Sequence, residues 1–280
     1  MILDKDTNIV YLSRKLKEWN TDFFNRLTRL MDEMYIHWEL LNYTRDIWIR
    51  DFMPIQMNDN EFIKYKYYPD YLRNSKDKRY ITNCKQACKS IGVTYKETNY
   101  IIDGGNIVPC EEYLIMTNKV FTENDKSIND IVLTKQLEEL FGCKIIFIPW
   151  HKISEDEPYG HADGFIRWCG GNKILMSNHR ETSPIEATEI RSILEFKGFE
   201  VTEMLFNTPN PEPDWNWAYI NFLQVQHKII MPFLGISEDK QAQKYIQTAF
   251  PDCEIRGIRM RNIAKYGGAL HCITWNIKIP

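Results

Sequence analysis

The feature that most limits what this chain can fold into is an order of helix-like and strand-like segments that recurs five times along its 280 residues. In the first copy a strand-like "NIVYLS" leads into a helix-like stretch at residues 14–35, and then into "HWELLN", "DIWIRDFMPIQM" and "EFIKYKYY". A helix-like segment near 79–91 precedes "VTYKET", "DGGNIVPC" and "YLIMTN", and another near 127–141 precedes "KIIFIPW", "HADGFIRWC" and "KILMSN". Pro184, a residue that the first helical turn tolerates, opens a helix to about residue 197, followed by "FEVTEML", "YINFLQVQ" and "KIIMPF". The last helix, near 237–249, leads to "CEIRGIRM" and "LHCITWNIKI". One helix with about three strands cannot bury its own apolar face, so successive copies are expected to pack around a shared axis, as propeller blades do.

Aligning the middle strands of the copies puts Asp51, Asn106, Asp163, Asn221 and Cys272 in one column, spaced by 55, 57, 58 and 51 positions. Equivalent positions of a propeller converge on its axis. Two carboxylates, two amides and a thiol are costly to gather there unless they bind or transform something, so a central polar pocket is expected. If these residues stand on strands, His161 shares a face with Asp163. The neighbour of Cys272, His271, should then point away, and a His271→Ala variant should keep much of any activity.

A His and a Cys among carboxylates suit either a metal or a nucleophile with an acid/base partner, and zinc prefers more His or Cys than this column offers. Two carboxylates facing one pocket repel unless a cation lies between them, and a planar guanidinium fits such a pair through donors along its edges. Its carbon is a poor electrophile. Carboxylates that fix the plane, and a polarisable thiolate approaching one face, answer that difficulty.

Composition excludes several other classes. The 35 basic and 38 acidic residues are mixed along the chain, for a net charge of −3, with no basic stripe of the kind nucleic acid calls for. Apolar runs such as "KIIMPFLGI" fall short of the roughly 18 residues a membrane helix needs. The start, "MILDKDTNIVYL", lacks the basic flank and apolar stretch of a secretory signal, so the cytoplasm is the expected compartment. Seven cysteines without regular spacing do not resemble a disulfide framework, and reduced thiols are expected. Cys84 and Cys88 have helical spacing but no second pair to complete a structural zinc site, and are read as one helix face.

The stretches "DIWIRDFMP", "DGGNIV", "YGHADGFIRW", "YINF" and "YGGALHCIT" resemble, in that order, the motifs of agmatine deiminases and the bacterial, Porphyromonas-type peptidylarginine deiminases. These belong to the guanidine-modifying pentein superfamily. The resemblance runs from about residue 40 to 275 and implies one catalytic domain over residues 1–280: a five-bladed, pseudosymmetric α/β propeller of repeated ββαβ units around a central active site, with no metal or organic cofactor. It casts Cys272 as nucleophile, His161 as acid/base, and Asp51 and Asp163 as guanidinium anchors. Trp48 falls where the family packs a Trp on the substrate stem, although an arbitrary Trp as often fills core space. Asp103 and Asn106 are cast as polar contacts and Asn221 as a brace of the pocket. Gly104, Gly105, Gly267 and Gly268 are read as serving backbone angles and close packing rather than substrate contact.

The sequence departs from that pattern where "FMP" widens the usual Gly-Pro step, where Asp103 replaces the usual Glu, where Tyr266 replaces the first of three glycines, and where "TWN" replaces a Gln-rich tail. The departures bear on the substrate's distal end more than on the guanidinium chemistry. The first strand-like segment begins at about residue 8, which leaves no room for a leading segment and suggests an open entrance. Four readings follow: deimination of a small guanidino compound, agmatine before arginine; the same reaction on peptide or protein arginine; amidino transfer; and a non-catalytic binding protein. The implied partner is a guanidino small molecule or a peptidyl arginine, with neither nucleic acid nor membrane, and with the oligomeric state left open.

Overall fold

The structure, a computed structural model, describes residues 1–151 and 159–280. Its strands form five three-stranded sheets with one shared order: an inner strand antiparallel to a central strand, which is parallel to an outer strand. Ile55–Asn58, Glu61–Lys66 and Lys96–Ile101 make one blade, and Val108–Pro109, Tyr113–Thr117 and Lys144–Ile148 the next. Ile166–Trp168, Lys173–Met176 and Glu200–Glu203 follow, then Leu223–Val225, Lys228–Phe233 and Glu254–Arg259. The remaining blade joins the first and last strands of the chain: Thr274–Ile277 runs antiparallel to Ile9–Ser13, which pairs parallel with His37–Leu41. The protein is a five-bladed α/β propeller, and each unit runs strand, strand, helix, strand.

Physical reasons for that order are local. Central strands are covered on both faces and read as apolar runs; every residue of Ile9–Ser13 is buried. Outer strands alternate, as in Glu200–Glu203, where Val201 and Glu203 point inward. A parallel neighbour requires a crossover of about a dozen residues, which the helix of each unit supplies.

Two expected helices differ from the observed ones. The stretch 14–35 is Arg14–Trp19 followed by Thr21–Glu33, because Asn20 ends the first and its side chain accepts the Phe23 N–H to start the second. Such a cap contributes about 1 kcal/mol. The stretch 79–91 shortens to Lys85–Ser90: Asp77–Tyr80 forms a separate 3-10 turn that ends in extended backbone at Ile81, and Asn83 Oδ1 accepts the Lys85 N–H at 3.1 Å where the helix begins. Ile131–Phe141, Pro184–Phe196 and Asp239–Ala249 lie where the sequence suggests, with Pro184 in the first turn.

The column residues stand on turns, not strands. Asp51 lies in Ile49–Phe52, Asn106 closes Gly104–Asn106, and Asp163 lies in Ala162–Gly164, while Asn221 follows Pro213–Ile220 and Cys272 sits in a turn ahead of Thr274–Ile277. Each turn leads directly into an inner strand, and successive turns touch one another around the axis. Buried turns need apolar neighbours just as strands do; Ile49, Phe52, Ile102 and Ile220 supply them and gave these segments the look of strands. Among the described residues no helix is long and apolar enough to cross a membrane.

Candidate active site

The ring of turns opens at one end into a cavity of about 710 Å³, lined by Asp51, His161 and Cys272 together with Trp48, Tyr71 and Tyr159. The first three are buried, whereas Trp19, Tyr266 and the charged Lys15 and Glu18 form an exposed rim. Asp163 lies just beneath: the Cys272 thiol donates to its Oδ2 at 3.7 Å. Across the floor, the His161 ring stands between two carboxylates, with Nε2 at 2.9 Å from Asp103 Oδ2 and Nδ1 at 3.5 Å from Asp51 Oδ1.

Glycine makes this approach feasible. The Gly105 N–H donates to Asp51 Oδ1 at 3.0 Å, and a Cβ there would stand 2.7 Å from His161 Nδ1 and 2.8 Å from Asp51 Oδ1. On the opposite wall a Cβ at Gly268 would meet the Trp48 ring at 2.2 Å, which fixes how deeply that ring enters the cavity.

Burial pushes the Asp51 carboxyl up to about 7, and the nearby Asp103 and Asp163 add to the rise against the pull of His161. Burial alone would lower the His161 imidazole, but the Asp51 charge and the Asp103 hydrogen bond outweigh it and raise the pKa. For Asp103, burial is outweighed by the Lys119 and His161 charges, and its carboxyl is held low. Asp163 is likewise held low against burial, by the hydrogen bond and charge of His271. Burial and the Asp163 and Asp51 carboxylates push the Cys272 thiol well above its ordinary value. The resting sulfur is therefore protonated, and a cation between the carboxylates would favour its ionisation.

Not every expected site residue reaches the cavity. Asn106 Oδ1 accepts the Thr117 N–H at 2.8 Å and the Ala162 N–H at 3.3 Å, tying one turn to the next. Asn221 Oδ1 accepts the Cys272 N–H at 3.2 Å, and its Nδ2 donates to the Asp163 carbonyl at 3.3 Å. Both amides are spent on backbone groups, the demand that any buried turn makes. Asp103 stands behind His161 rather than on the cavity wall.

Several residues were not singled out from the sequence. Tyr71 donates to Asp103 Oδ2 at 3.4 Å, and the buried Lys119 holds its ammonium 3.5 Å from the same oxygen. Asp46 lines the cavity with a carboxyl that burial pushes up to about 6. Tyr71, in the 3-10 turn Asp70–Leu72, and Lys119, at the start of the short helix Lys119–Glu123, lie outside the quoted motifs. Tyr159, beside Gly160 and His161, and Asp46, which opens "DIWIRDFMP", lie inside quoted motifs. Among the described residues no group of three or more His, Cys, Asp or Glu is arranged to hold a metal.

The sequence profile of the Porphyromonas-type peptidyl-arginine deiminase family matches residues 12–277. A putative agmatine deiminase of Mycoplasma capricolum is 22% identical over 222 residues, covering 68% of this chain and 61% of the relative. The agmatine deiminase of Pseudomonas savastanoi pv. phaseolicola is 25% identical over 221 residues, covering 66% and 59%. The match thus spans about three fifths of the length of these curated relatives. In three dimensions the agmatine deiminase of C. jejuni superposes with a TM-score of 0.80 at 19% identity, over 100% of this chain and 96% of that one.

Proposed function

We propose a guanidino hydrolase activity from one premise: this chain belongs to the Porphyromonas-type peptidyl-arginine deiminase family. The reaction is deimination of a guanidino compound to a ureido product and ammonia, with agmatine as the favoured substrate because the curated relatives carry that name. One observation carries the reading. A buried thiol, an imidazole and a carboxylate share one cavity, and a second carboxylate lies 3.7 Å from the sulfur.

In this reading Asp51 and Asp163 hold the guanidinium plane across the floor, and Trp48 packs along the aliphatic stem. Binding of the cation offsets the two carboxylates, and the thiol of Cys272 loses its proton to solvent. The thiolate adds to the guanidinium carbon. His161, kept protonated by Asp51 and Asp103, gives its proton to the departing nitrogen, and ammonia leaves a thiouronium on Cys272. Neutral His161 then takes a proton from water as the oxygen adds to the same carbon. Collapse expels the Cys272 thiolate and the ureido product. Asp103 orients the His161 ring, and Asn106 and Asn221 act as braces rather than as substrate contacts. All seven cysteines are unpaired thiols, which suits a reducing compartment such as the cytoplasm.

A second reading, deimination of a peptide-borne arginine, draws on the family's description and on the wide, charged rim of Lys15, Glu18 and Arg45. The deciding assay incubates the protein with agmatine, arginine and an arginine peptide, and measures ammonia and ureido product from each. Agmatine is expected to give the highest kcat/KM; turnover of the peptide alone would favour the second reading, and turnover of none would end both.

A further inference from the structure

On the side of the axis away from the cavity, Asp163 is backed by a polar cluster to which this reaction scheme gives no role. His271 Nδ1 stands 2.6 Å from Asp163 Oδ2, and its Nε2 stands 3.5 Å from Asp4 Oδ2. Asp4 is itself tied down: it pairs with Arg167, and the Asn276 side chain donates to its Oδ1 at 3.0 Å. Arg50 bonds the Asn276 side chain and donates to the His271 carbonyl at 3.4 Å. His271 is 4% exposed and Asp163 1%, and the rear cavity of about 250 Å³ reaches Asp4, Arg167 and His271 but not Asp163, so water is poorly placed to replace the bond between His271 and Asp163. Asp4, His271, Asp163 and Cys272 form one file from the rear of the propeller to the cavity floor.

We propose that His271 and Asp4 are positioning residues for the guanidino reaction, with Asp4 holding the His271 ring and the ring's Nδ1–H fixing the Asp163 carboxylate. This rests on the deimination reading, because the substrate supplies the readout. The terminal torsion of an Asp is soft, so a buried carboxylate without a fixed donor can turn its oxygens away. Both the thiol and His271 meet Oδ2, which directs Oδ1 to a substrate N–H. Losing a charge-assisted hydrogen bond of this kind is expected to weaken guanidinium binding about 10-fold or more.

The test is steady-state kinetics with agmatine, arginine and an arginine peptide on wild type, His271→Ala, His271→Asn and Asp4→Asn. His271→Ala should raise KM about 10-fold or more for the substrate that wild type turns over, with a smaller fall in kcat. His271→Asn, whose amide N–H can reach where Nδ1–H stands, should recover most of that loss. Asp4→Asn keeps an acceptor for Asn276 but loses the charge beside His271, and should give a KM between wild type and His271→Ala. A merely structural lesion lowers the amount of active protein, and so the apparent kcat, while KM stays put. If His271→Ala does not fold, His271→Asn and Asp4→Asn carry the comparison. Wild-type KM in Asp4→Asn, or a His271→Asn variant as weak as His271→Ala, would overturn the positioning role alone. A wild type inert on all three substrates would instead overturn the deimination reading and the inference resting on it.

Discussion

At the rear of the axis Asp4 meets Arg167, Asn276 and His271, whereas at the front Asp51 meets one imidazole nitrogen at 3.5 Å and one backbone N–H at 3.0 Å. The consequences for the two carboxyls are opposite. Burial would raise both, but Arg167 and His271 hold Asp4 well below the usual carboxylate range, while Asp51 rises to about 7. Charges at the rear are balanced by fixed partners, as in a structural network; those at the front lean toward negative. A planar cation would correct that imbalance, and the front is where the thiol and the wide cavity lie. Under the proposed function, buried charge left without a full partner is what a substrate cation would complete at the front.

The two ends should differ most at the sulfur. Cys272→Ser should lower kcat by about 10⁴-fold or more, as loss of a covalent nucleophile does, with an unchanged circular dichroism spectrum. His161→Ala should cost about 10² to 10⁴-fold in kcat, read by ammonia release. At Asp51 the effect falls mainly on KM. Its carboxyl titrates near 7, so its charged fraction grows with rising pH, and wild-type KM should fall between about pH 6 and about pH 8. Asp51→Asn should raise KM about 10-fold or more and flatten that pH dependence. Smallest in catalytic effect is Asn106→Ala, which removes the acceptor for two buried N–H groups. It should lower stability by about 1–3 kcal/mol in urea unfolding while leaving KM within about twofold.

The two ends also differ in how far the sequence disclosed them. At the front, recurrence and motif spacing brought Asp51, His161, Asp163 and Cys272 to one axis, because blades of equal construction must present equivalent positions there. The local structure at those positions is a turn where the apolar pattern suggests a strand. A buried turn flanked by Ile49 and Phe52, or by Ala162 and Ile166, carries the apolar neighbours of a strand, and a linear pattern separates the two poorly. His271 does point away from Cys272, toward Asp163 and Asp4, but turn geometry sends it there, not strand alternation, and its 2.6 Å contact with Asp163 is why His271→Ala is expected to weaken binding instead of keeping much of the activity.

The rear could not be read in advance. Asp4 and Arg167 are 163 positions apart and meet only because Thr274–Ile277 closes the ring against Ile9–Ser13 and brings the first residues under the axis. Lys119 reaches Asp103 within one blade: Asp103 stands just ahead of Val108–Pro109 and Lys119 just past its antiparallel partner Tyr113–Thr117, so the hairpin brings the two together. Asn106 and Asn221 were correctly placed at the axis, but sequence position does not tell whether an amide serves a ligand or a turn's own backbone.

Attack of the Cys272 sulfur on a guanidinium held at the front of the axis can be observed by rapid acid quench with agmatine followed by mass spectrometry of the peptide containing Cys272. A transient amidino adduct on that cysteine, absent in Cys272→Ser, is the result expected. Ureido product formed at the wild-type rate by Cys272→Ser, with no adduct on the wild-type peptide, would contradict it.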